Sequence, residues 1–401
     1  SIQPFIYNEI FEPDSSLTGV KQRVRTNTFR FDNRIALLSI FKIGNIRLNP
    51  QINLNIYDQE MNSGLYSINR TGDSSYPADS LRNQLSWSKY SANISTEISY
   101  QTSKLNANLY FPVSYHLIRY RDKIKEKHNT LSRVYFDPSF SLRYSINSRF
   151  ELKTNYGFYN GAGNLQNLYT GYILQDYRTL NRYDGNLFEY RGNGGEMNIA
   201  YKNVFKMFFS MIGLSTNYQK NNMLFGQNFN GIISQMSMIK KANASRYTSF
   251  TGSLSKGFDW KKLFIKLNYY YTHHTSEQLQ QEEIIRYNGD ANVVELSVNA
   301  TPANRLLIAY KGTYGDNRIE IKHEQTLPII RSLVNEFSLD VPLFKRFDLN
   351  CSYEHYYRNQ TNGNKQFYLT DLALKYTLGN HSFILTWMYI FNTAYYITNN
   401  Y

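Results

Sequence analysis

Leu105-Asn106-Ala107-Asn108-Leu109-Tyr110-Phe111-Pro112-Val113-Ser114-Tyr115 is apolar or aromatic at every odd position and polar at most even ones. Successive side chains of a β-strand point to opposite faces, so this segment folds with one apolar and one wet face. The same period of two runs through Tyr90, Ala92, Ile94, Thr96, Ile98 and Tyr100, with Ser91, Asn93, Ser95, Glu97 and Ser99 between them. It recurs from Phe150 to Phe158, from Val294 to Ala300 and from Phe347 to Tyr353. These strands run beyond ten residues, roughly twice the usual length of about five or six.

The connections carry further information. Eight short ones are predicted at Lys42–Asn45, Thr102–Lys104, Asn147–Arg149, Asn203–Lys206, Asp259–Lys262, Pro302–Arg305, Pro342–Arg346 and Gly379–Asn380. Between them lie longer polar connections at Glu60–Arg82, Asp122–Thr130, Asn160–Glu189, Asn222–Ala242, Glu277–Arg286, Gln325–Pro328 and Asn359–Lys365. A transmembrane β-barrel sorts its connections this way, with tight periplasmic turns on one rim and long loops on the other. Sandwiches and solenoids have no reason to do so. The expected fold is therefore all-β, a large antiparallel transmembrane barrel with about 16 strands in this chain. Aromatic residues near the strand ends, such as Tyr115, Tyr120, Tyr156, Tyr159, Trp387 and Tyr389, fit interfacial girdles.

Length and composition agree. The 401 residues contain 42% hydrophobic and 16% aromatic residues, too many aromatics for a disordered chain. The 44 Lys+Arg against 31 Asp+Glu give a net charge of +13, but the charges are scattered singly rather than gathered into a nucleic-acid-binding arm. Cys351 is the single cysteine, which excludes an internal disulfide framework and a cysteine-based zinc site. It falls on the apolar face with Phe347, Leu349 and Tyr353, where an inert, lipid-facing thiol is expected. No uncharged apolar run reaches the 18 residues of a membrane-spanning helix. Ser1 and the residues after it show no secretory leader, so the chain reads as a processed product or a fragment. With the short turns on the periplasmic side, the first strand (near Gly19–Arg25) and the last (His381–Ile397) both end on the outer side. The chain is thus expected to be one domain, residues 1–401, incomplete at both ends and part of a larger barrel.

One segment, Leu165-Gln166-Asn167-Leu168-Tyr169-Thr170-Gly171-Tyr172-Ile173-Leu174 with Asp176-Tyr177-Arg178-Thr179-Leu180 and Arg182-Tyr183-Asp184-Gly185, resembles the TonB-dependent receptor-type outer-membrane barrels of Bacteroidota. The turn Ser255-Lys256-Gly257-Phe258-Asp259-Trp260-Lys261 is similar to that group as well. The resemblance implies a barrel of about 22 strands in a Gram-negative outer membrane, preceded by a plug domain that this chain does not contain. It also implies active import of a small-molecule, glycan or peptide ligand. The implied partners are outer-membrane lipid, the TonB energy-transducing complex acting through the plug, and a surface lipoprotein as a further candidate. The alternative is an unplugged barrel acting as a passive pore or a surface-binding or assembly protein.

The residues offer little chemistry of other kinds. His273 and His274 point to opposite faces and do not share a metal easily. His116, His355 and Glu354 could join a Ser-His-carboxylate hydrolase set only by assumption, so no enzyme and no cofactor are expected. Gly192, Gly194 and Gly195 lack the Lys and helix of a phosphate loop and read as a bulge or loop base. Lys153, Glu97, Glu151, Glu295, Lys266 and Asp348 fall on the polar face as a hydrated wall. The candidate ligand site is the long connection Asn160–Glu189, with Tyr169, Tyr172, Tyr177, Arg178, Arg182, Tyr183 and Asp184, because Tyr and Arg suit the grip of a polar ligand. The competing expectation is that this loop folds over the barrel mouth and packs on itself.

Overall fold

The computed structural model describes residues 17–37, 41–69, 78–176, 179–183, 185–230, 233–303, 305–321, 327–359 and 365–390. Among them every regular element is a strand or a single 3-10 turn, and all strands belong to one sheet of 22 strand segments.

The sheet is an antiparallel meander. Leu17–Ala36, continued by Phe41–Ile43, pairs with Ile46–Asn69, and that strand pairs with Arg82–Gln101. Leu105–Asp122 follows. Its next neighbour is interrupted at Asp137-Pro138, giving Lys127–Phe136 and Ser139–Ser145 on the same partner. Phe150–Ala162, Glu189–Asn203, Phe208–Asn221 and Asn243–Phe258 come next. They are followed by Leu263–Gln280, Glu283–Ala303, Leu306–Ile321, Ile330–Phe344, Phe347–Arg358, Lys365–Leu378 and His381–Trp387. Counting interrupted strands once, the described meander has the sixteen members expected from the sequence.

All eight short turns fall where the alternation breaks, with Gly44 and Gly379 taking the left-handed conformation that the tightest of them require. The opposite end differs from expectation. Asp122–Thr130 is not a long loop, because pairing runs to Asp122 and resumes at Lys127. The Asp122 carboxylate accepts the Ile124 and Lys125 amides and closes the turn. Glu277–Arg286 is likewise reduced to Gln281 and Glu282, both at positive φ, as a two-residue hairpin turn demands. Glu60–Arg82 remains strand to Asn69, and Asn222–Ala242 contains the hairpin Leu224–Asn230 and Ile233–Ile239. The strands are longer than the sequence suggested and project past the region where the loops were expected to start.

Register resolves the two faces. Ile52, Ile94, Val113 and Phe136 lie side by side on one face, as do Leu254, Leu267 and Leu296. Leu339, Cys351, Leu372 and Trp387 form another such row, which puts Cys351 on the apolar face as expected. The other face carries Asn53, Asn93 and Ser114, and farther round Glu295 and Lys311. Ion pairs are built into it: Lys153 with Glu151 at 2.9 Å, Arg305 with Asp348 at 2.6 Å, and Lys311 between Glu295 at 3.6 Å and Glu336 at 3.3 Å. The glycines at 192, 194 and 195 form no bulge, since pairing on both sides is continuous in register. Instead Gly192 makes room for the Tyr159 ring, which a Cβ there would meet at 2.4 Å.

Toward the loop end this polarity reverses. On the strand Leu105–Asp122 most even positions are polar up to His116 and then become Ile118 and Tyr120, both buried, while Arg119 and Arg121 turn outward and are exposed. Neighbouring strands reverse at the same level, where Ile56 faces Tyr90 and Tyr90 faces Leu117. Beyond it Met61, Leu65, Leu85 and Trp87 are buried on the otherwise polar face, and Asp58 and Glu60 stand on the outer one. The clustered core of Met61, Leu65, Leu85, Trp87, Ile118 and Tyr120 therefore lies toward one end of the sheet and on one face.

Candidate functional site

The described residues between 163 and 188 cover that core. Leu165, Leu168 and Ile173 insert among Met61, Leu85, Trp87, Ile118, Tyr120 and Leu131. Leu180 joins Leu65 and Leu81, and Tyr183 packs with Met223 and Met238. Backbone pairing adds to this, because Thr179–Asn181 lies parallel to Ser234–Met236 of the adjacent hairpin. Packing apolar side chains against one inward face leaves the loop no route back to solvent without exposing them.

Buried polar groups fix its position. Asn83, 2% exposed, accepts the amides of Thr170 at 3.1 Å and Gly171 at 2.8 Å and donates to the Gly171 carbonyl at 3.0 Å. Thr170 donates its hydroxyl to the buried Asp122 carboxylate, and Tyr120 donates to the Leu168 carbonyl at 3.0 Å. Gln22 brackets Leu174, accepting its amide at 2.6 Å and donating to its carbonyl at 2.9 Å. Gly185, at φ 63°, abuts the Tyr120 hydroxyl, and its carbonyl accepts from Asn129 at 2.8 Å.

The expected contact residues are divided by this packing. Tyr169 and Tyr183 are drawn into the core with ring centroids 6.4 Å apart. Desolvation raises both phenol pKa values above the ordinary value of 10.0, with Tyr183 adding to the effect at Tyr169, so both stay un-ionised. Tyr172 and Arg182 keep part of their surface and form a unit of their own. The Arg182 guanidinium lies 5.1 Å from the Tyr172 ring centre, and the Tyr172 hydroxyl accepts from Gln235 at 3.0 Å. Tyr177, Arg178 and Asp184 lie outside the described residues. Asn83, Asp122, Thr170 and Gln22, which hold the loop, were not singled out from sequence. Asn83→Ala is expected to strand two buried N–H groups at a cost of about 2–3 kcal/mol. Faster hydrogen exchange over residues 168–174, with the meander unchanged, is the readout.

Below the loop a recess of about 460 Å³ opens on the polar face, lined by Arg30, Asp32, Arg34, Asn53, Asn93 and Tyr110, among others. His116 borders it and meets Ser91, Oγ to Nδ1, at 2.8 Å. In a hydrolytic triad that nitrogen faces the carboxylate, whereas here it holds the serine. His355 meets Asn335 at 3.1 Å, while Glu354 lies on the opposite face and accepts from Tyr356 at 2.7 Å. His355 and Glu354 are thus separated by the sheet. His273 and His274 do alternate, and His273 contacts Asp290 at 2.9 Å. Among the described residues no three His, Cys, Asp or Glu side chains gather to hold a metal.

No family model matches the sequence, and no curated relative does. Three solved structures of an outer-membrane protein of Vibrio cholerae, OmpT, are similar over most of their length. Its loop-L8 deletion mutant shares 10% identity at a TM-score of 0.32, over 88% of this chain and 99% of that one. The outer-membrane-expressed form shares 9% at 0.31, over 89% and 90%. The in-vitro folded form shares 9% at 0.27, over 91% and 92%. Such scores describe a loose superposition.

Proposed function

We propose that the chain is an outer-membrane β-barrel protein of a Gram-negative bacterium that passes polar solutes along its polar face, with residues 163–188 narrowing the path. The observation that carries this reading is the exposed apolar band. Ile52, Leu54, Ile94, Val113 and Leu214 are 47%, 49%, 64%, 48% and 49% exposed, and they sit in one band continued by Leu254, Leu267 and Leu296. A contiguous apolar surface of this extent needs a partner, and soluble monomers seldom carry one. On the strand Leu105–Asp122 the band runs from Leu105 to Tyr115. Ten rises of about 3.3 Å at a tilt of about 40° make it about 25 Å tall, the height of a barrel's lipid-facing belt. The exposed Arg119 and Arg121 above it suit the headgroup side of that belt.

The polar face then lines the path, and the folded-over loop supplies the constriction from within the chain. Tyr172 and Arg182 are the expected ligand-contact residues left at its surface. Purified protein in planar bilayers is expected to give steady single-channel steps, and removal of residues 164–187 should enlarge them. Recovery in the soluble fraction, or silence of both proteins, overturns the reading. Energised import through a separate plug is the second reading, favoured by the resemblance of residues 165–185 to TonB-dependent receptors. It requires silent bilayers together with cellular uptake that a proton uncoupler abolishes.

A further inference from the structure

The recess beneath the loop brings two arginines together on the polar face. Elsewhere on that face Lys153 is held by Glu151, Arg305 by Asp348, and Lys311 by two glutamates. In the recess two arginines meet one carboxylate, that of Asp32. Arg30 and Asp32 contact through Nε at 2.5 Å, and Arg34 donates from one terminal nitrogen to Gln51 at 2.5 Å. A guanidinium has five N–H donors, so each arginine retains donors beyond these single contacts.

The wall behind them is ordered into rows by register. Arg34, Asn53, Asn93 and Ser114 form one row, and Asp32, Asn55, Ser91 and His116 the next. Within the first, Asn53 donates to Asn93 at 3.2 Å and Asn93 donates to Ser114 at 2.7 Å. These bonds fix the amides and hydroxyls in place before any ligand arrives, which reduces the ordering cost of binding. Planar guanidinium forks match carboxylates bidentately, and a lattice of fixed amides and hydroxyls suits ligand hydroxyl groups. At about 460 Å³ the recess falls in the range of small-molecule sites, about 300–1,000 Å³.

We infer that this recess is a binding station for a small hydroxylated organic acid, gripped by Arg30 and Arg34 and aligned by the Asn53–Asn93–Ser114 row. The inference rests on the polar face being the solute path, and it names the class of solute that pauses there.

Citrate is the probe. Titration calorimetry on the detergent-solubilised full chain at low salt is expected to show saturable citrate binding. The double variant R30Q/R34Q should weaken it at least tenfold, and K266Q, elsewhere on the polar face, should leave it unchanged. Both variants are checked for heat-modifiable electrophoretic mobility so that folding is not the cause. Absence of saturable binding, or equal affinity in R30Q/R34Q, overturns the inference. Bilayer recordings keep the two claims apart. A protein that conducts but does not bind citrate loses only the binding station, and one that binds citrate but stays silent loses only the solute path.

Discussion

Gly171→Ala is expected to release residues 163–188 from the sheet while the meander itself survives. A Cβ on Gly171 would stand 2.1 Å from the Arg82 carbonyl oxygen, 2.7 Å from its carbon and 2.9 Å from its nitrogen. These are backbone atoms in a paired strand, so no side-chain rotation can relieve the overlap. The loop must lift, and lifting breaks the three bonds through which Asn83 holds Thr170 and Gly171. Overpacking of this kind costs about 1–3 kcal/mol, and the stranded polar groups add about as much again. Limited proteolysis should then nick the segment, and bilayer conductance should rise. Gly252→Ala serves as the control, because the nearest atom to its added Cβ is Phe250 Cε1 at 3.9 Å. It is expected to behave as the parent protein does. Intact resistance of the segment in Gly171→Ala would mean that the loop is not anchored through this contact.

The contrast between the two glycines also explains which parts of the molecule can be read from sequence. Alternation is a local signal, and it reported the two faces and every short turn because those depend on neighbours two residues apart. The position of the long loop's anchors depends on contacts between residues 87 or 88 positions apart, such as Asn83 with Thr170 and Gly171. No period records them. One local signal for the strand extensions does exist. In the strand Ile46–Asn69 the apolar positions are even through Ile52, Leu54 and Ile56 and then odd at Met61 and Leu65. That change of phase marks where the apolar exterior ends and an apolar interior begins. Read as polarity alone, it looked like the start of a loop. The Tyr and Arg content of residues 165–183 does not say what each ring does, because the same rings serve burial at Tyr169 and Tyr183 and partial exposure at Tyr172. Only packing separates these roles.

Ile94→Arg tests whether the exposed band meets lipid. Ile94 is 64% exposed, pairs with Ile52 on one side and Val113 on the other, and lies near the middle of the apolar rows. In water, replacing so exposed a side chain removes little buried area, and the change should stay within about 0.5 kcal/mol. In a bilayer the guanidinium would sit close to the hydrocarbon midplane, where an arginine on a barrel costs about 2–4 kcal/mol. The two environments therefore predict results that differ by a factor of more than about ten in the folding equilibrium, using about 1.4 kcal/mol per decade. Reversible urea unfolding in lipid vesicles, followed by tryptophan fluorescence, measures the difference directly. Ser99→Arg, on the opposite, polar face of the same strand, provides the comparison, since its side chain would enter a hydrated wall beside Glu97. A large loss for Ile94→Arg with little for Ser99→Arg assigns the apolar face to lipid and the polar face to water. Equal small losses at both positions would mean that both faces are wet, and the membrane reading would fall with them.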